Sequence, residues 1–331
     1  MAKRTRERGR CALCRVFGPL TFEHFPPKAV GNRLPVVMRE WSDFVRSPSA
    51  FGTRMAGPVQ QRGSGWYALC AHCNNWQGRE LVPEYQKWAL PVRMAMECEG
   101  GLEATAMADA VTDESVLHMT LTGDFKPGRF ARYGLAATLL STVKGDQAPV
   151  WHPVAAALVR QFDAQKVPDD FPRLFLSICA GPLVGVMGIQ VAVRIGPSQS
   201  TTWHSSAYGR PFGFWLVEGP VKPGLLEITD WLEMSADQSA SGLELGALTY
   251  GFSHLPFPGD LRSMAAIREQ AGEPIDPHPN YRGSHPDRQG VGTCVTLQDG
   301  QRGTSAEVRI EVPGIWEEYE ADDGQMQMSG D

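Results

Sequence analysis

Nowhere in the 331 residues does an apolar run approach the roughly 18 residues that a membrane-crossing helix needs. The most apolar stretch, Pro182 to Val193, is broken by Gly185, Gly188 and Gln190, so no membrane partner is expected. The basic start, Met1 to Arg10, is not followed by an apolar segment. A secretory signal requires that pairing, and without it a cytoplasmic location is expected. No internal repeat with a period of about 20–50 residues is visible. Gly123-Asp-Phe-Lys-Pro-Gly128 lacks the Gly-Lys-Ser/Thr ending of a phosphate-binding loop and reads as a turn. Cysteine is sparse, with seven in the whole chain, which rules out a disulfide scaffold in place of a core.

Charge is present in ordinary amount but unevenly placed. The net value of −6 conceals +9 over residues 1–95 and −15 over the remainder. A basic segment on an acidic body suits phosphate contact by the first part, with DNA as the expected partner and RNA not excluded. Four of the seven cysteines form two Cys-x2-Cys pairs, Cys11/Cys14 and Cys70/Cys73, separated by 55 residues. Each pair sets two thiolates on one tight turn, and two such turns complete a closed tetrahedral zinc site with no position left for water. Zinc (Zn²⁺) there is structural. His72, inside the second pair, could replace a cysteine, but with four thiolates available it is expected to face solvent or phosphate; Cys98, Cys179 and Cys294 stand alone and read as ordinary thiols.

Between and after the pairs stand Glu23-His24, followed by Phe25-Pro26-Pro27, and Asn74-Asn75-Trp76-Gln77-Gly78 directly after Cys73. This order, Cys-x2-Cys, acid-His, a proline loop, then Cys-x2-Cys-Asn-x3-Gly, resembles the HNH endonuclease family. The resemblance covers about 70–80 residues. It implies a ββα-metal fold in which the acid-His pair ends the first strand and the residue after the last cysteine begins the helix. It implies His24 as the catalytic general base that deprotonates the attacking water. Glu23 and Asn74 would hold one catalytic divalent ion, Mg²⁺ or Mn²⁺, with Asn75 or a residue further along the helix as alternatives to Asn74. Phosphodiester hydrolysis suits these types, since imidazole titrates near neutrality and carboxylate and amide oxygens are hard ligands. The family more often has Asp at the position of Glu23. Its middle Asn buttresses the loop after the histidine, and Asn32 is the only Asn between His24 and Asn74. The resemblance also suggests defence against foreign DNA.

The fold expected is α+β, a ββα-metal (HNH) zinc module followed by a larger α+β domain. The zinc module takes residues 1–95, with an insertion at about 33–65 and a short helix around Met38–Val45. A linker at 96–115, a domain at 116–316 and an acidic, disordered tail at 317–331 follow. Spacing of Trp76, Leu81, Tyr85 and Trp88 predicts a helix between Leu69 and Trp88, broken into two pieces by Pro83. Further helices are expected over Phe130–Val143 and from Pro153. Strands are expected at Val116–Thr122, Arg173–Ala180, Gly185–Arg194, Phe212–Val217, Leu225–Leu232, Leu243–Tyr250 and Ala306–Val312. The larger domain carries no motif tied to chemistry. His152, His204 and His254 are isolated, and the loop from Asp276 to Asp287 offers only two weakly placed histidines. A regulatory or positioning role is expected, through a protein partner or a second copy of the chain. The alternative to a nuclease is a non-catalytic zinc-knuckle module that binds nucleic acid or protein.

Overall fold

The computed structural model describes residues 7–33, 35–37, 58–97, 116–140, 149–179, 184–194, 200–219, 221, 225–250 and 305–311. The chain is α+β. Its first sheet orders β1 (Arg8–Arg10), β2 (Phe17–His24) and β5 (Gly65–Cys70), all antiparallel. Between β2 and β5 a two-stranded ribbon, β3 (Val36–Val37) with β4 (Val59–Gln60), closes the base of the expected insertion. The expected helix at Met38–Val45 lies outside the described residues, as do the tail at 317–331, His254 and the Asp276–Asp287 loop.

β5 runs directly into helix α1 (Ala71–Glu80), which ends at Leu81, and α2 (Val82–Glu97) follows. The expected break falls where Pro83, which has no N–H to donate, enters the second helix. α2 extends into the segment expected as a linker, and residues 98–115 lie outside the described part.

The second sheet orders β13 (Ser305–Glu311), β6 (Val116–Phe125), β12 (Ala240–Tyr250), β7 (Arg173–Cys179), β10 (Phe212–Glu218), β9 (Ser200–Gly209) and β8 (Gly185–Arg194). A short β11 (Leu226–Glu227) also pairs with β7. Pairing is antiparallel except between β12 and β7. Two expectations are corrected here, and one strand is added. Gly123–Phe125 continues strand β6 instead of forming a turn, with Pro127 opening the next helix at its first turn. Leu225–Leu232 yields only the two residues of β11 and then a 3-10 turn, Thr229–Leu232. β9 was not anticipated at all.

Against this sheet lies α3 (Pro127–Leu139), buried on every side except at Arg129. A helix apolar all round belongs in an interior. Its Gly134 meets the Phe214 ring so closely that any side chain there would collide with it. α4 (His152–Arg160) packs beside α3. Aromatic rings join the early helices to this layer, with Tyr85 on Tyr133 at 4.3 Å and Trp88 on Phe130 at 4.1 Å between centroids. One continuous buried cluster therefore runs from Cys11, Leu13 and Cys73 through Trp88 and Phe130 to Phe214 and Leu232. No helix among the described residues is long and apolar enough to cross a membrane.

Candidate metal centre and the His24 face

The two cysteine pairs meet at the junction of β2, β5 and α1. Cys11–Cys14 is a tight turn tied to β5 by Ala12 N–H donating to the Ala68 carbonyl at 2.8 Å. Cys70 ends β5 and caps α1; Cys73 sits in the first turn of that helix. All four Sγ atoms lie within 4.8 Å of one another, and Cys14 and Cys70 are 3.8 Å apart. A tetrahedral zinc with Zn–S bonds of about 2.3 Å places its sulfurs about 3.8 Å apart. The four cysteines therefore fit a metal ion such as zinc, by donor type and by spacing. Burial pushes the Cys11 and Cys73 thiols up, and at Cys73 the neighbouring thiols push further. At Cys70 burial also pushes up, but hydrogen bonds from the Cys73 backbone and the other thiols outweigh it and leave the thiol below its usual value. His72 is exposed on α1 and does not join the cluster. Cys179 is a separate buried thiol; Cys98 and Cys294 lie outside the described residues.

Glu23 and His24 are the last two residues of β2, and alternation along the strand sends them to opposite faces. His24 shares its face with Phe22, ring centroids 4.8 Å apart and edge to face, and Phe22 in turn meets the exposed Tyr67 at 5.3 Å. His24 Nε2 lies 3.2 Å from the Arg62 carbonyl. A carbonyl only accepts, so this contact puts the ring proton on Nε2 and leaves the lone pair on Nδ1. Partial burial and then the Lys28 charge hold the imidazole below its ordinary value, against the pull of that carbonyl. Lys28 and Arg62 are both exposed beside it.

Glu23 is 6% exposed, and burial pushes its carboxyl up to about 8. Its charge is felt by Tyr133 on α3, which locates it on the core side of β2. Asn74, on α1, donates Nδ2 to Thr21 Oγ1 at 2.8 Å and more weakly to the Phe22 carbonyl at 3.5 Å. Both bonds use the amide N–H and neither uses the amide oxygen. One turn on, at i+3, Gln77 is 1% exposed with neither amide atom hydrogen-bonded. Buried polar atoms without partners mark a place where water or an ion belongs. Gln77 lies in the stretch further along the helix that the sequence left open beside Asn74, at i+3 spacing from it.

Asn32 ties the proline loop to the start of β5. Its Nδ2 donates to the Pro26 carbonyl at 2.6 Å and the Ser64 carbonyl at 2.7 Å, while Ser64 N–H donates back to Oδ1 at 2.7 Å. Gly63, with φ of +86°, turns tightly against Asn32, where a side chain would strike its carbonyl. Of the histidines set aside as isolated, His152 and His204 are buried. A cavity of about 430 Å³ is lined by Trp151, Trp203, His204 and Glu218 among others, and by none of the cysteines, Glu23, His24 or Asn74. No protein-family model, no curated protein and no solved structure matches this chain.

Proposed function

We propose that the chain is a metal-dependent endonuclease of the HNH kind, hydrolysing phosphodiester bonds in DNA with His24 as general base. One observation carries the reading. The strand that ends in Glu23-His24 is zipped to the strand that leads through Cys70 and Cys73 into the helix bearing Asn74. The cysteine cluster, the acid-His pair and Asn74 thus belong to one β-β-α unit.

In this reading the four cysteines hold structural zinc. His24 Nδ1 takes the proton of the attacking water, while the Arg62 carbonyl fixes the ring through Nε2. A divalent ion held by Glu23 and Asn74 would supply positive charge to the phosphate and the departing oxygen. The exposed Lys28 and Arg62, with the +9 charge of residues 1–95, favour a polyanion at this face. Defence against foreign DNA would be a role consistent with this activity.

Incubating supercoiled plasmid with the full chain and Mg²⁺ or Mn²⁺ tests the reading. Wild type should nick or linearise it, and Asn74→Ala should be at least ~100-fold slower, the scale of losing a positioned catalytic group. Equal cleavage by both removes Asn74 from the site.

A second reading, a non-catalytic zinc-knuckle module that binds nucleic acid or protein, draws on the burial of Glu23. A carboxyl held up at about 8 is mostly protonated at neutral pH, and ionising it requires the cation to offset that burial. This reading expects salt-sensitive nucleic-acid binding with no cleavage at any metal concentration.

A further inference from the structure

Helix α4 lies far from the cysteines in sequence, yet both of its ends touch their turns. At its start His152 places Nε2 2.7 Å from the carbonyl of Ala12, within the Cys11–Cys14 turn. At its last residue Arg160 donates Nη2 to Cys73 Sγ at 2.9 Å, across 87 positions of chain. Just beyond, Phe162 packs on Trp76 of α1 with ring centroids 6.0 Å apart. Ala155, Leu158 and Val159 belong to the same buried cluster as Cys11, Leu13 and Cys73.

The electrostatics of a filled site explain what a guanidinium does there. Four thiolates around one Zn²⁺ leave a net charge of about −2. Cys11 and Cys73 are 0% and 1% exposed, so water does little to spread that charge on their side. A charged N–H donor to sulfur both offsets it and satisfies the thiolate lone pair. Arg160 supplies such a donor to one of these sulfurs.

We propose that Arg160 is a positioning residue of the zinc centre: it holds the Cys73 thiolate and offsets the charge of the tetrathiolate, so that zinc affinity is set partly from α4. This rests on the zinc reading of the four cysteines and is independent of nuclease activity. It makes the metal site a joint property of residues 11–73 and of a helix at 152–160.

The test uses the full chain, titrated with zinc against a chromophoric chelator, and with cobalt followed by its thiolate charge-transfer absorption. Arg160→Ala should weaken zinc binding by roughly 10–100-fold, the usual scale for a lost outer-shell partner. It should also shift the cobalt band, which a merely structural role would not do. Arg160→Lys should recover part of both. Arg173→Ala, which removes a surface guanidinium paired with Glu227 at 3.5 Å, should leave both unchanged. Zinc affinity within twofold of wild type and an unshifted cobalt band in Arg160→Ala would overturn the proposal. Should that variant not fold, Arg160→Gln and Arg160→Lys decide in the same way: weaker zinc, more so for Gln, upholds it, and wild-type affinity in both overturns it. Wild type that binds no zinc removes the underlying reading instead, which separates the two failures.

Discussion

A single amide, that of Asn32, holds the loop that follows His24. Three hydrogen bonds of 2.6–2.7 Å tie it to Pro26 and Ser64, one residue before β5 begins. Removing it takes the Asn32 partner from the Pro26 carbonyl and the Ser64 N–H and leaves the Ser64 carbonyl with only the Phe25 N–H at 3.2 Å, at about 1 kcal/mol or more for each group left unpaired. Asn32→Ala should therefore lower stability by about 2–3 kcal/mol, read as a drop in urea midpoint at unchanged slope. Wild-type stability would mean the loop is held by something else. The cysteine cluster was legible in sequence because ligand spacing is a short-range fact, and so, from local order, was the placement of Glu23-His24 at a strand end and of Asn74 at the start of a helix. Asn32 stood out only as the lone Asn between His24 and Asn74, and its partners became visible once the strands were paired. Arg160 gave no signal at all, because nothing local marks an arginine whose acceptor lies 87 residues earlier.

At the level of elements, the strands with apolar alternation were readable and β9 was not. Its sequence, Ser-Thr-Thr-Trp-His-Ser-Ser-Ala-Tyr-Gly, looks like a polar loop. It nonetheless pairs between β8 and β10 with residues 204–208 buried, and Ser205 donates to the Thr138 carbonyl of α3 at 2.7 Å. His204 in the same strand is 2% exposed, and burial pulls its imidazole down to about 4. The folded state thus binds fewer protons than the unfolded one between about 6.5 and 4. Stability is complete above about 6.5 and is lost as pH falls through that window, by on the order of 3 kcal/mol. Denaturation at pH 7 and pH 4.5 should show a smaller acid loss for His204→Gln than for wild type. Equal acid losses would contradict the assignment. Two other elements are fastened by polar groups that composition does not reveal. Arg132, fully buried, donates to the carbonyls of Gly128, Gln161 and Leu232, and Glu84 accepts from Trp88 Nε1 and the Lys126 N–H.

Over the whole molecule, the α+β class was legible from periodicity, but the packing between the early and late segments was not. Sequence composition shifts near residue 96, whereas the buried cluster is continuous from the cysteine turns to the large sheet. Charge separates where the core does not: the basic part carries the His24 face and the acidic part supplies the sheet and α3 behind it. On the nuclease reading, polyanion contact is expected at the basic part. The most direct test compares plasmid cleavage by wild type and His24→Ala, matched for zinc content and melting temperature, in Mg²⁺ and in Mn²⁺. We expect His24→Ala to cleave at least ~100-fold more slowly while holding the same zinc. Cleavage by His24→Ala at the wild-type rate would contradict the account.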